Sequence, residues 1–182
     1  MRCSWAERSE VERAYHDDEW GVPVHDDRTL FERLALSTVQ AGLALRTVLA
    51  KRASLRAAFH EFDIDRVAAM TDADIALVLA DRGVIRHRLK VESIRNNARA
   101  ARRIVEATGS FSDFLWTFAR PDEPPRARPD SEPLPGRSDA SDLMSEALRQ
   151  RGFRFAGTAI CHALMQSAGM VNDHAVECFR YR

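Results

Sequence analysis

Residues 71–109 read TDADIALVLADRGVIRHRLKVESIRNNARAARRIVEATG, and the fold class turns on them. Thr71 and Asp74 stand three apart, the spacing at which each side chain of a helix start reaches the other's backbone N–H. Ile75, Val78 and Leu79 then recur on one face, and Gly83 suits the left-handed position at which helices commonly stop. A second periodic segment runs from Ile85 to Gly109. Two helices joined by a short glycine-containing turn are therefore predicted. The second helix start offers free backbone N–H groups beside Arg86, His87, Arg88 and Lys90, a combination that attracts phosphate. From Arg82 to Arg103, eight Lys or Arg residues face one acid, Glu92. A solvated helix face, or plain packing of a helix pair, also accommodates that run.

Helical periodicity continues on both sides. DDRTLFERLALSTVQAGLALRTVLAKR (26–52) reads as one or two helices with Leu30, Phe31, Leu34, Leu43 and Val48 on a buried stripe and acids at its start. SDASDLMSEALRQRG (138–152) and GTAICHALMQSAG (157–169) are two further helices, each closed by a glycine. No sustained period-two alternation appears, so the fold class is all-α. Residues 120–137, RPDEPPRARPDSEPLPGR, hold six of the seven prolines and read as a surface loop between two helical lobes of one domain spanning 1–182.

Composition sets the class. The chain has 182 residues, 45% hydrophobic and 30% charged, which describes a soluble globular protein and excludes disordered and membrane classes. Basic and acidic residues balance at 27 each, so only their distribution can indicate an acidic partner. The start MRCSWAERSE has no apolar signal region, and the longest aliphatic run, IALVLA at 75–80, is too short to span a bilayer. A cytoplasmic location is expected. Three cysteines without a secretion signal argue against a disulfide framework and leave metal, catalytic or buried roles.

Three constellations could carry chemistry. His174 and Cys178 stand four apart, one face of a helix, and form half a metal site. Cys3 and His16 could complete a tetrahedral set of two cysteines and two histidines, tying the termini through Zn2+ in a closed, structural site. The same residues could equally be buried thiols and ordinary polar groups. Cys161 and His162 are adjacent, so their side chains diverge to core and surface. AYHDDEWGVP (14–23), with Trp5 and Glu12 nearby, gathers Tyr15, Trp20 and several acids, rings that either stack on a flat ligand or pack a core. LSTVQAGLAL (36–45) places Ser37, Thr38 and Gln40 around Gly42 within an apolar helical stretch, which suits either a core or a pocket lining.

Taken in order, RCSWA, AYHDDEWGVP, QAGL with TVLAKR, GVIRHRLK, NNARA, FLWTF, SDASD and RGFRFAGTAICHALMQSAGMVNDH, with the trailing Cys178, resemble the DNA-3-methyladenine glycosylase I family of the helix-hairpin-helix glycosylase superfamily across nearly the whole chain. The resemblance implies an all-α helix-hairpin-helix fold and one structural Zn2+ at Cys3, His16, His174 and Cys178. It implies a hairpin over Gly83, Arg86, His87, Arg88 and Lys90 that grips double-stranded DNA, and a monomeric enzyme of base-excision repair. Such an enzyme flips an alkylated purine, 3-methyladenine or a related 3-alkyladenine, into an aromatic pocket and hydrolyses its glycosidic bond. The pocket would comprise Trp5, Glu12, Tyr15, Trp20, Ser37, Gln40 and Leu45. Two positions depart from the family, which has glutamate at Ser37 and tryptophan at Leu45; Glu12 stands where a relative carries tyrosine. Losing the glutamate removes a charge-assisted hydrogen bond of ~1.5–3 kcal/mol. Glu12 could supply the missing carboxylate. A pocket for a bulkier alkylated base, or a non-catalytic zinc-containing lesion-binding protein, are the alternatives. No catalytic acid is assigned, and neither lysine, Lys51 or Lys90, fits a Schiff-base nucleophile.

Overall fold

The structure is a computed structural model that describes residues 1–120 and 127–181. Among them every regular element is a helix: α1 (Glu10–Asp18), α2 (Asp27–Gln40), α3 (Leu45–Ala50), α4 (Arg52–Ala58), α5 (Ile64–Ala69), α6 (Asp72–Ala80), α7 (Arg88–Thr108), α8 (Phe111–Trp116), α9 (Asp139–Gln150) and α10 (Thr158–Ser167), with 3-10 turns at Ser4–Arg8 and His60–Phe62. The proline-rich loop expected at 120–137 falls partly on residues 121–126, outside the described residues; 127–137 contain no helix. No described helix is long and apolar enough to cross a membrane.

Local sequence sets the helix starts. Ser9, Asp26, Asp63, Thr71, Ser110 and Ser138 each accept a first-turn backbone N–H with a side-chain oxygen, and Thr71 with Asp74 closes the predicted capping box. Gly83 departs from expectation. It is not left-handed; α6 ends at Ala80 and Asp81 follows as its C-cap, with a carboxylate that accepts the Gly83 N–H at 2.7 Å. The glycine serves close approach instead, since a Cβ there would lie 2.7 Å from Ser54 Oγ.

Helix α2 is the axis of the core. Every residue from Leu30 to Val39 is buried, and α2 packs against α7 on one side and α10 on the other. Leu30, Phe31 and Leu34 meet Val91, Ile94 and Ala98 of α7 and Leu164 and Met165 of α10 in one apolar cluster. Leu43, expected on the same stripe, is 40% exposed, because α2 stops at Gln40 and Gly42 (φ 77°) turns the chain before α3.

Much of the basic run works inside the protein. Arg95 donates to Met70 O, and Arg99 to Ala68 O and Met70 O, satisfying carbonyls at the end of α5. Lys90, expected as a phosphate contact, is 7% exposed and turned inward, where its Nζ donates to Val39 O at 2.9 Å and Ala41 O at 2.5 Å at the end of α2.

Candidate functional site

The two chain ends meet at a cluster of four buried side chains. Cys3 precedes the 3-10 turn at Ser4–Arg8, His16 lies in the last turn of α1, and His174 and Cys178 follow α10. The tail holding His174 and Cys178 is not helical, so their four-residue spacing does not align them on a helix face. A turn does so instead, closed by the Cys178 N–H donating to Ala175 O. The ligating atoms all lie within 4.8 Å of one another. Cys3 Sγ to His174 Nδ1 is 3.7 Å, Cys178 Sγ to His174 Nδ1 is 3.6 Å and Cys178 Sγ to His16 Nε2 is 3.4 Å. A tetrahedral ion with metal–sulfur bonds of ~2.3 Å and metal–nitrogen bonds of ~2.0–2.1 Å has sulfur–nitrogen edges of about 3.6 Å, so this donor set fits such an ion.

The surroundings suit metal ligation. His16 Nδ1 is 2.8 Å from Asp17 Oδ1, a contact that directs Nε2 at the cluster, and Asp17 is held by the Arg2 guanidinium. Backbone N–H groups of Ala175 and Arg180 point at the sulfurs of Cys3 and Cys178. Burial pushes the His174 imidazole down to about 4, which keeps it neutral, the form that ligates; it also pushes the Cys3 thiol up to about 11, which opposes the ligating thiolate unless a cation sits beside it. Gly21, left-handed at φ 77°, passes so close that a Cβ would sit 2.6 Å from His174 Nε2.

A cavity of about 120 Å³ opens beside this cluster. Trp5, Tyr15, Trp20, Ser37, Gln40 and Leu45 line it together. Trp20 joins the two sites: its ring meets Trp5 edge-on at 5.1 Å and His174 edge-on at 4.5 Å. Segment 36–45 thus does both things its composition allows: Leu36, Ser37, Gln40 and Leu45 face the cavity while Val39 enters the core. Glu12, expected at the pocket edge, is not among the lining residues. It is buried near the start of α1, where its carboxylate accepts the Ser9 hydroxyl at 2.7 Å. The Ser37 hydroxyl donates to Arg33 O one turn back at 2.9 Å.

Sequence reasoning passes over two charged lining residues, Arg33 and Arg52. Arg33 Nη1 donates to Glu19 O and to Ser167 O, and its Nη2 lies 3.7 Å from Glu19 Oε2. Arg52 pairs with Glu19 at 2.6 Å and with Glu32 at 2.7 Å, and Arg56 also holds Glu32. Burial works against the charge on Glu32, yet hydrogen bonds from Arg56 and Arg52 leave its pKa below the ordinary value of 4.5. The available signal is the pair Glu32–Arg33, two adjacent charges among the apolar residues of 30–36, where burial demands partners.

The start of α7 forms a separate, exposed surface. Arg86, His87 and Arg88 face solvent, with the His87 ring accepting the Lys90 N–H at 3.4 Å as an N-cap. Gly83 sits in the preceding turn, which Lys51 braces by donating to Arg82 O and Gly83 O. His162, expected at the surface, is buried between Ser138 and Asp173.

The methyladenine glycosylase family model matches residues 5–181. The chain is 44% identical over 180 residues to DNA-3-methyladenine glycosylase 1 of Escherichia coli, covering 99% of this chain and 96% of that one. It is 42% identical over 177 residues to the DNA-3-methyladenine glycosylase of Haemophilus influenzae, covering 97% and 96%. A crystal structure of a 3-methyladenine DNA glycosylase I superposes with a TM-score of 0.94 at 44% identity over the whole of both chains. The Staphylococcus aureus enzyme, whose structure concerns 3-methyladenine recognition, superposes with 0.92 at 32% identity, covering 100% of this chain and 96% of that one. With the all-helical fold shared end to end, the chain belongs to the methyladenine glycosylase family.

Proposed function

We propose that this protein is a monofunctional DNA glycosylase that excises adenine alkylated at ring nitrogen 3, or a closely related alkylpurine, from double-stranded DNA. One observation carries the reading: a single cavity gathers Trp5, Tyr15 and Trp20 with Ser37, Gln40 and Leu45, in a chain that shares 44% identity with a named 3-methyladenine glycosylase. Flat rings stack on a flipped base, each stack contributing ~1–3 kcal/mol. An adenine alkylated at that nitrogen is cationic and departs readily as a neutral base. The cavity therefore has to orient it, exclude bulk water and admit one water to the sugar. A lyase route lacks its nucleophile: Lys51 and Lys90 are both engaged with backbone carbonyls.

In this reading Cys3, His16, His174 and Cys178 hold one Zn2+. With four protein ligands the ion supplies structure rather than an activated water, tying both chain ends behind Trp20. The helix-hairpin-helix element α6–α7 presents Gly83, Arg86, His87 and Arg88 to the phosphates, and Lys90 is withdrawn from that role. The protein acts as a single-domain, cytoplasmic monomer. Leu45 and Ser37, both smaller than the family's residues, favour as second reading a bulkier alkyl group on the base.

The test is release of free purines from methylated duplex DNA by the protein and by its Ser37→Glu/Leu45→Trp variant. Free 3-methyladenine from the unmodified protein is expected, with faster release by the variant. No purine from either would overturn the proposal.

A further inference from the structure

One apolar side chain stands at the rim of the cavity on a segment that is otherwise polar or proline. Leu134 is the only large apolar residue among 127–138, yet it lines the cavity. At 37% exposure it is also the most exposed of the aliphatic residues that do so, whereas Leu36, Val48 and Leu49 in the same lining are buried. The backbone on both sides of Leu134 is held. Pro133 fixes its own φ, and Pro135 confines the residue before it, Leu134, to extended backbone. Glu132 O accepts from Arg128 Nη1 at 2.6 Å, and the buried Arg128 is anchored in turn on Asp173 O. Pro135 O accepts from Gln166 Nε2 at 3.2 Å, and Gln166 also donates to the Asp173 carboxylate at 2.8 Å. Leu134 takes no part in the main apolar core, so the anchoring serves the rim rather than the interior.

We propose that Leu134 is a specificity-determining residue that limits the size of the alkyl group on the excised base. The inference rests on the cavity being the base pocket. In adenine, ring nitrogen 3 and the nitrogen bonded to the sugar are attached to the same ring carbon, so a substituent on nitrogen 3 lies beside the glycosidic bond. The sugar stays in the DNA backbone outside the cavity. That edge of a flipped base therefore lies at the mouth, and the opposite edge points to the floor. An alkyl group offers no hydrogen bond, so only shape and apolar surface can sort it. The side chain that meets it has to be apolar, at the rim, and fixed firmly enough that a larger group collides with it instead of pushing it aside. Leu134 has all three properties. Ser37 and Leu45, smaller than the family's glutamate and tryptophan, make the α2 and α3 side of the cavity the roomier one, which leaves the size limit to this segment.

The experiment compares single-turnover release of 3-methyladenine from a methylated duplex and of 3-ethyladenine from an ethylated one. The two bases carry the same charge and leave by the same bond cleavage, so the ratio of their rates reads size alone. Leu134→Ala should raise the ethyl-to-methyl ratio about tenfold, the lower end of what one methylene is worth in an apolar pocket, and Leu134→Trp should lower it by about as much. Opposite shifts from two substitutions at one position are not what a loosened loop produces, since that would slow both bases together. A ratio that stays the same in both variants, whether or not the rates fall, would overturn the inference alone, as would a shift in the same direction in both. Release of no purine by any of the proteins would overturn the glycosylase reading and this inference with it.

Discussion

Lys90→Met separates two roles that one basic residue at a helix start can play. In the structure the Lys90 ammonium is buried and donates to Val39 O and Ala41 O, two carbonyls at the C-terminal end of α2 that no helical N–H satisfies. Each hydrogen bond to a charged donor contributes ~1.5–3 kcal/mol. Against that gain stands the cost of taking the ammonium out of water, which lowers the pKa of the Lys90 amine from its ordinary 10.5. Methionine fills similar space without that desolvation cost but leaves both carbonyls unpaired. The net destabilisation should be about 2–3 kcal/mol, or roughly 4–12 °C in Tm for a chain of this size. Thermal unfolding reads the first role. Duplex binding across a series of salt concentrations reads the second, since removing one lysine from a phosphate reduces the slope by ~1. The expected outcome is a lower Tm with an unchanged salt slope. An unchanged Tm with a slope reduced by ~1 would place Lys90 on DNA and refute the inward role.

Arg86→Ala and Arg88→Ala should behave oppositely, each lowering the salt slope of duplex binding by ~1 with little change in Tm. Gly21→Ala forces a methyl group to within 2.6 Å of His174 Nε2 at a left-handed position. It should lower the metal content below half an equivalent by elemental analysis and destabilise the fold by ~2–4 kcal/mol. Stripping metal with a strong chelator should lower Tm by ~10 °C or more, because ligand binding to the folded state is folding free energy; a chelator-insensitive melt would count against a structural ion. Glu32 has a depressed folded pKa, so its stabilisation is complete above about pH 5 and is lost as pH falls through 4.5, the value in the unfolded chain, toward the folded one. Glu32→Gln should therefore flatten the fall in stability as pH drops below about 5, measured by urea unfolding at each pH.

The parts of this molecule legible in its sequence are those fixed by local rules. The capping box at Thr71 and Asp74, the long helix α7 and the all-α class follow from spacing alone, and the structure reproduces them. Reading fails where a local rule meets a tertiary demand. Gly83 looks like a left-handed stop, but Ser54, distant in sequence, requires the glycine. Helical arithmetic aligns His174 and Cys178, whereas an irregular tail brings them together. Lys90 belongs to a basic run whose sign suggests phosphate, yet which member turns inward depends on where the end of α2 lies. Arg33 and Arg52 are invisible for the same reason: the inward position of each arginine can be understood only with Glu19 and Glu32 beside it.

The placement of α2 explains why these parts form one machine. Near its middle, Arg33 and Ser37 face the cavity, and at its C-terminus Gln40 reaches the same space while Val39 O and Ala41 O are held by Lys90. Lys90 lies two residues beyond Arg88, so the helix whose start faces outward at Arg86 to Arg88 also fixes the rim of the cavity. On the opposite wall, Trp20 is set between Trp5 and His174, and both of those depend on the joined chain ends. The cavity is therefore bounded by two structures that short-range sequence cannot assemble: a helix end pinned by a buried ammonium and an aromatic wall backed by a cluster of two cysteines and two histidines. Because each boundary is anchored by buried, oriented contacts, the rings that line the cavity are held in place without a ligand. In the proposed function, such preorganisation is the condition under which fixed dipoles act on a departing base without first having to rearrange.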